Sequence, residues 1–323
     1  MIPAPRILAV LAALALSAQA TAQPAQKAAP QAPAPPPAQT DSGDVDLAYG
    51  AYQRGQYITA LQEATKRAQQ NDPAAMTLLG ELYAQGLGVP RDDGKAADWY
   101  KLAASKGDRN AMFALAMFNF EGRAGPKNPD QAAHLLSDAA KLGHPAAEYD
   151  LGLLYLQGSQ FPQDFKRAAE LFTAASKAGN PEAQYALATM YKEGRGVPKD
   201  IGKAMALMGQ ASLAGNLDAM VEYAIAEFNG TGIGKDEAGA AQLFLKASNR
   251  GSAIAQNRLA RILMAGRGVP ANPTEAVKWH IISKALGDSD PELDVFASKQ
   301  SQEVRDAADK EAQKWLATMG PRS

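Results

Sequence analysis

The chain has 323 residues and a formal net charge of -1, so no bulk positive charge draws it to nucleic acid or to anionic lipid. It contains no cysteine, which excludes disulfides, thiolate catalysis, zinc–thiolate sites and iron–sulfur clusters. Alanine and leucine dominate its apolar residues and β-branched alternating runs are lacking, so an all-α protein is expected.

Residues 1–22 have the order of a secretory signal peptide. A basic residue precedes an apolar stretch from Ile7 to Leu16, and the small residues that follow offer cleavage after Ala20 or Ala22. The apolar stretch is shorter than the roughly 20 residues that span a bilayer, which favours cleavage over a membrane anchor. We therefore expect an exported, periplasmic bacterial protein with no membrane span after cleavage.

Two segments separate this signal from the body of the chain. Residues 23–43 are mainly proline, alanine and glutamine, a composition that cannot bury a core, and they are predicted to be a disordered linker. Residues 44–71 predict a helix pair of the tetratricopeptide kind. Only five positions separate Gly55 from Ala60, where the later repeats have ten, so this pair lacks their longer loop.

Residues 72–288 contain six repeats of 36 residues. Glycine recurs with this step in two series, at Gly86, Gly122, Gly158, Gly194, Gly230 and Gly266, and at Gly107, Gly143, Gly179, Gly215, Gly251 and Gly287. Each glycine follows an apolar-periodic stretch of about a dozen residues, so each is expected to end a helix in the left-handed conformation. One repeat is therefore predicted to be two helices.

Polar residues and prolines are placed to begin these helices. An Asp or Asn ends the loop inside each repeat and is expected to cap the second helix, at Asp92, Asn128, Asp164, Asp200, Asp236 and Asn272. Pro73, Pro145 and Pro181 open the first helix, where a missing N–H costs nothing. Alanines that recur with the same step let helix axes approach closely.

The repeat resembles that of the Sel1-like family. The first copy matches the family pattern at Ala75, Leu79, Gly80, Tyr83, Gly86, Gly88, Val89, Asp92, Lys95, Ala96, Trp99, Ala103 and Gly107. The resemblance implies a right-handed α/α solenoid of Sel1-like, tetratricopeptide-like helix pairs. Two loops depart from the pattern, with Gly122-Arg123-Ala124-Gly125 in the second repeat and Gly158-Ser159-Gln160-Phe161 in the third, and a different loop shape is expected there.

Residues 289–323 predict a polar helical segment that caps the repeats at the C-terminus. Its expected buried stripe consists of Ala307, Ala308, Ala312, Trp315 and Leu316.

No pattern of catalytic or metal-ligating residues emerges. His134, His144 and His280 have no paired spacing and are interpreted as ordinary polar or capping residues. The Gly-x-Gly loops follow helices and not strands, which argues against a nucleotide loop. Some secreted Sel1-like proteins are linked with β-lactam binding or hydrolysis, but this chain lacks their cysteines and has no S-x-x-K or G-x-S-x-G. No metal, no cofactor and no enzyme activity are expected.

A second apolar stripe runs along the first helix of several repeats, opposite the core stripe formed by Ala75, Leu79, Leu82 and Tyr83. In tetratricopeptide-like stacks this side lines the concave surface, so the resemblance places the stripe along a groove. The candidate partner-binding residues are Phe113, Met117, Phe120, Tyr149, Leu153, Leu156, Tyr185, Ile225 and Phe228. Exposed apolar patches of this sort indicate partner binding, whereas a tightly wound solenoid buries the same residues itself, and the sequence leaves both alternatives open.

These observations favour a non-enzymatic periplasmic adaptor that binds another protein or a peptide, either periplasmic or the periplasmic part of a membrane protein. The family resemblance implies envelope signalling or exopolysaccharide systems as its setting. A glycan- or peptidoglycan-associated protein is the alternative, with Tyr149 and Tyr185 stacking on sugar rings. Trp99 and Trp279 are expected in the core and would not be available for such stacking. A hydrolase is the least favoured function.

Overall fold

The structure, a computed structural model, describes residues 47–319, and this part of the chain consists of helices joined by turns and short loops. The signal peptide 1–22, the linker 23–43 and the residues 44–46 and 320–323 lie outside the described residues. The helices are α1 (Leu47–Gln53), α2 (Tyr57–Gln69), α3 (Pro73–Gln85), α4 (Asp93–Ser105), α5 (Arg109–Glu121), α6 (Pro129–Lys141), α7 (Pro145–Gln157), α8 (Phe165–Lys177), α9 (Pro181–Glu193), α10 (Ile201–Leu213), α11 (Leu217–Asn229), α12 (Glu237–Asn249), α13 (Ala253–Ala265), α14 (Pro273–Ala285), α15 (Pro291–Ser298) and α16 (Gln302–Thr318).

The chain divides into two compact units, of which the first ends at Ala178 and the second begins at Gly179. Unit 1 contains the pair α1–α2 and three repeats, α3 to α8, and unit 2 contains three repeats, α9 to α14, followed by α15 and α16. Each repeat has a first helix, here called helix A, and a second, helix B. Within a unit, the two helices of a repeat pack together and helix B packs on the next helix A, which confirms the predicted all-α architecture of helix pairs.

The predicted caps are confirmed in every repeat. The Asp or Asn before each helix B has a side-chain oxygen that accepts a hydrogen bond from a backbone N–H in the first turn, as Asp92 does from Lys95 at 2.9 Å. The glycine that ends each helix A is left-handed, with φ of 71° at Gly86. These local rules therefore set the boundaries of the helices.

The interface between helix A and helix B pairs a small residue with a ring. A Cβ on Gly80 would lie 2.5 Å from the Tyr100 ring, and a Cβ on Gly152 would lie 2.6 Å from the Phe172 ring, so glycine is what admits these rings. The expectation that Trp99 is core is wrong, because Trp99 is only half-buried whereas the next residue, Tyr100, is fully buried. Trp279 is buried, with an exposed fraction of 2%.

The loop inside the repeat lies against the preceding helix B. A Cβ on Gly88 would lie 2.9 Å from the backbone of Tyr57, and Gly88 also has a φ of 73°, so only glycine satisfies both demands. The second and third repeats carry Ala124 and Gln160 at this position, and neither has a positive φ. The different shape expected of these two loops is confirmed.

The C-terminal segment is two helices, α15 and α16, and α16 packs on α14. Ala308 and Ala312 are buried, and Trp315 and Leu316 are half-buried. The inclusion of Ala307 in the buried stripe is wrong, because that residue is exposed, about 100° around the helix from Ala308, and the helix buries only a narrow face.

Candidate partner-binding surfaces

The nine candidate residues of the second stripe differ in burial, and none of them is exposed. Four are buried, with exposed fractions of 1% for Met117, 7% for Tyr149, 1% for Leu153 and 6% for Leu156. The other five are half-buried, namely Phe113, Phe120, Tyr185, Ile225 and Phe228. Of the two alternatives that the sequence leaves open, self-burial holds for the first four residues, because they are buried within the fold and present almost no surface to a partner.

The packing of the second stripe in unit 1 explains this burial. The Tyr149 ring lies 5.7 Å from the Phe172 ring, which itself sits over Gly152. Met117 belongs to the same apolar cluster as Leu136 and Leu151. In the third repeat the glycine allows helix B to approach helix A closely, so the Tyr149 ring is enclosed although the helical wheel assigns it to a second face.

Phe113 is one of the two half-buried candidate residues of unit 1. Its ring stacks on that of His144 with centroids 4.5 Å apart, and His144 caps α7 by accepting from the Ala147 N–H at 3.1 Å. Burial, helped by the charge of Arg109, lowers the pKa of His144 to about 4, so the imidazole is neutral near pH 7. Arg109 donates to the Leu142 carbonyl at 3.0 Å. Phe113 therefore lies against an uncharged aromatic cap.

Unit 2 places polar groups at the equivalent positions of its first repeat. The Tyr185 hydroxyl donates to Glu222 at 2.7 Å, and the Lys192 ammonium lies 2.6 Å from the other oxygen of the same carboxylate. Burial, followed by the charge of Glu222, raises the pKa of Tyr185 above its ordinary value. These bonds join α9 to α11, so the stripe here connects one repeat to the next.

The last repeat continues this connection to the C-terminal helices. Arg261 forms a two-point ion pair with Asp290, at 2.6 and 2.9 Å, and Asn257 donates to the same carboxylate at 3.1 Å. Asp290 is buried, and its side chain also caps α15. Arg261 reaches Glu292 as well, at 2.7 Å. The positions that carry Tyr149 and Leu153 in unit 1 are thus used in unit 2 for polar contacts between helices.

The two tyrosines proposed for sugar stacking lack the geometry for it. Stacking on a sugar needs an open ring face, and Tyr149 is 7% exposed with a phenylalanine against it. Tyr185 is half-buried and its hydroxyl is engaged by Glu222. The glycan alternative therefore has no exposed tyrosine platform on these two residues.

Two arginine contacts between repeats were missed in the sequence. Arg123 donates to Asp93 at 2.6 Å and its guanidinium lies 4.1 Å above the Phe118 ring. Arg267 pairs with Glu237 in the same way and lies 4.2 Å above the Phe228 ring. The signal was present, because both arginines follow the first glycine of a loop and both acids occupy the first position of the preceding helix B. Arg267 thus covers part of one candidate residue.

The described residues contain no cluster of three or more His, Asp or Glu side chains arranged to hold a metal ion. The three histidines have separate roles. His144 is a cap, His280 is buried with its Nε2 2.8 Å from Asp294, and the exposed His134 meets the edge of the Phe161 ring at 6.4 Å. Between residues 47 and 319, no helix combines the length and the apolar character needed to cross a bilayer.

Comparison with known proteins identifies the repeat. The model of the Sel1 repeat matches six consecutive segments, at residues 73–108, 109–144, 145–180, 181–216, 217–252 and 253–288. Among curated proteins, none matches the sequence.

Two solved structures are similar over most of the chain. A Sel1 repeat protein from Oxalobacter formigenes is 27% identical with a TM-score of 0.64, and the match covers 74% of this chain and 97% of that one. A protective antigen present in uropathogenic Escherichia coli strains, which displays the same repeat fold, is 23% identical with a TM-score of 0.55, over 84% of this chain and 67% of that one. The second likeness concerns the fold alone.

Proposed function

Because this chain belongs to the Sel1 repeat family, we propose that it is a non-enzymatic scaffold that binds a protein or peptide partner on its helix A faces. Sel1 repeat proteins generally mediate protein–protein interaction, and their fold is typically a non-catalytic scaffold. The sequence adds no nucleophile or metal motif that would suggest a reaction.

The burial of the helix A side chains indicates which residues would contact a partner. After the repeats have packed, helix A retains half-buried apolar side chains, Phe113 and Phe120 in unit 1 and Ile225 and Phe228 in unit 2. Charged groups lie next to them, such as the Arg267 guanidinium over Phe228. Partly accessible aromatic rings with a charged border are typical of the energetically dominant part of a protein interface.

We place this scaffold in the periplasm on the strength of the signal-like residues 1–22, with a partner that is periplasmic or the periplasmic part of a membrane protein. An envelope signalling or exopolysaccharide system is the proposed setting. Fractionation of the native host tests the location. The protein should appear in the periplasmic fraction with an N-terminus at Thr21 or Gln23, and an uncleaved chain in the cytoplasmic fraction would contradict it.

The partner site is tested by replacing the accessible rings. The full chain carrying Phe113→Asp and Phe120→Asp should capture its partner from periplasmic extract at least tenfold less well, because each carboxylate would have to be desolvated on binding. Identification of the captured protein by mass spectrometry, and titration of the purified partner, would then give the affinity of each variant.

The matched control is Leu102→Asp, which places the same charge on an exposed leucine of helix B in unit 1. This variant should bind as the unmodified chain does, and circular dichroism of all variants should show the same helicity. Unfolding of the Phe113/Phe120 variant would mean that the two rings are core. Recovery of a glycan in place of a protein would favour the envelope-polymer alternative.

A further inference from the structure

An unfilled apolar groove lies on the helix B side of unit 2, between α12 and α14. Its walls are Ala241 and Leu245 of α12, Leu259 and Leu263 of α13, Val269 of the loop and Trp279 of α14, and its volume is about 160 Å³. An apolar cavity of about 150 Å³ in another protein holds one benzene molecule. The groove therefore has the size and the lining to take one aromatic ring.

The equivalent groove of unit 1, between α6 and α8, is filled by the chain itself. Phe161, which stands three repeats before Val269, stacks on the Tyr155 ring with centroids 5.0 Å apart and planes at 20°. The His134 ring meets it edge-on at 6.4 Å. Tyr155 and His134 occupy the positions of Leu263 and Gln242 in the open groove. In this copy of the repeat, whose loop differs in shape, a phenylalanine side chain occupies the equivalent space.

A second copy supports the same conclusion with a different ring. Between α10 and α12, the ring of Tyr223 lies over Gly209, where an added Cβ would be 3.1 Å from the nearest ring atom. One repeat later these positions carry Leu259 and Leu245, and Leu245 is 44% exposed. The open groove of α12–α14 thus has aliphatic residues at the positions of Tyr155, Phe161 and Tyr223.

The chain offers no exposed ring of its own to fill the groove. All its aromatic residues, 10 tyrosines, nine phenylalanines and three tryptophans, lie between residues 47 and 319, and each of them is buried or half-buried. The residues outside this range therefore supply no aromatic side chain, and a second copy presents no fully exposed ring. At the rim Glu275 is paired with Lys278 at 2.7 Å, which favours an uncharged occupant.

We propose that the groove between α12 and α14 is a docking site for a phenylalanine side chain of a partner protein. The site is separate from the helix A faces, since its lining comes from helix B residues, from helix A residues of the core stripe and from the loop. The partner inserts one ring in the manner of Phe161, while the side chains that flank the ring meet Gln242 and the Glu275–Lys278 pair.

The test uses the full chain with isotope-labelled leucine and valine methyl groups and N-acetylphenylalanine methylamide as the probe. Saturable shifts at Leu245, Leu259, Leu263 and Val269, with a dissociation constant on the order of 1 mM, are expected for so small a ligand. N-acetylalanine methylamide should cause no such shifts. An absence of saturable binding by the phenylalanine probe, or shifts of equal size with both probes, would overturn the proposal.

Three substitutions test the comparison of the two grooves, two that close the open groove and one that opens the filled one. Val269→Phe should close the open groove and weaken the probe at least tenfold, and Leu263→Tyr, which copies Tyr155, serves the same purpose if the first variant is poorly folded. Phe161→Val should open the groove of unit 1 and add a second binding site for the probe. Unchanged binding by both closing variants would contradict the site, and failure of Phe161→Val to gain a site would contradict the comparison on which the proposal rests.

Discussion

The second stripe of helix A is apolar in the second and third repeats, which lie in unit 1, and largely polar in the fourth and sixth repeats, which lie in unit 2, although the same positions of the repeat carry it. In unit 1 Tyr149 and Leu153 are buried, and the Tyr149 ring packs against the Phe172 ring. In unit 2 Tyr185 binds Glu222, and Arg261 binds Asp290 in the C-terminal segment. The repeat fixes which positions face the neighbouring helices, and the side chains at those positions decide whether the contact between helices is apolar or polar.

This difference shows that part of the second stripe serves contacts between helices in each unit. An amphipathic pattern on two sides of a helix was compatible with a groove or with self-burial, and the structure buries four of the nine candidate residues within the fold. What remains for a partner is the set of half-buried rings, such as Phe113 and Phe228. The comparison therefore narrows the candidate interface from nine residues to the five half-buried ones.

Leu153→Asp should have the largest effect, since it tests whether the stripe of unit 1 is closed. Leu153 is 1% exposed, so the new carboxylate would be buried without a partner and should lower the free energy of unfolding by about 4 kcal/mol. The equivalent Ile225→Asp in unit 2 affects a half-buried residue and should cost about 1–2 kcal/mol. Urea unfolding followed by circular dichroism measures both.

Leu153→Met is the control for volume, and it should change the free energy of unfolding by less than about 1.5 kcal/mol because it keeps the site apolar. Equal and small losses for the two aspartate variants would mean that unit 1 opens to solvent at this stripe. The two units would then not differ in the burial of this stripe, and the alternative of an exposed groove in unit 1 would be favoured.

The parts of the fold that depend on neighbouring residues were predictable from the sequence. Asp92 caps α4 and Gly86 ends α3 because capping and left-handed backbone are decided within one turn of the chain. The departure of the loop at Gln160 was visible for the same reason. The burial of Tyr149 was not predictable, because it depends on how closely helix B approaches Gly152, a distance that no local pattern encodes.

A similar limit explains the error at Trp99. Consecutive residues on a helix differ in direction by about 100°. The repeat pattern predicted the core position at Trp99, one residue before the buried Tyr100, and so assigned a half-buried residue to the core. The packing of the Tyr100 ring over Gly80 sets the true register. The contacts of Arg123 and Phe161 were not predicted from the sequence for a related reason. Each residue lies in a loop that departs from the repeat pattern, and its contact partner, Asp93 or His134, lies on another helix far away in the sequence.

His144 gives a smaller effect that distinguishes one cap of unit 1 from the caps of unit 2. Asn180 and Asn216 cap their helices with side chains that do not titrate, whereas the His144 cap requires a neutral imidazole. The pKa of His144 is lowered from 6.5 to about 4, so between these values the unfolded chain binds a proton that the folded chain does not. Stability contributed by this residue is therefore complete above about pH 6.5 and falls as the pH drops toward about 4.

The expected loss from this residue is about 2–3 kcal/mol between about pH 7.5 and about pH 4.5, since one unit of pKa corresponds to about 1.4 kcal/mol. His144→Asn, which copies the caps of unit 2, should keep the N–H bond and lose this pH dependence, at the cost of the ring contact with Phe113. Urea unfolding of both chains at the two pH values measures the difference, and carboxylates common to both cancel. Parallel pH profiles would show that His144 is protonated in the folded protein and that another group caps α7.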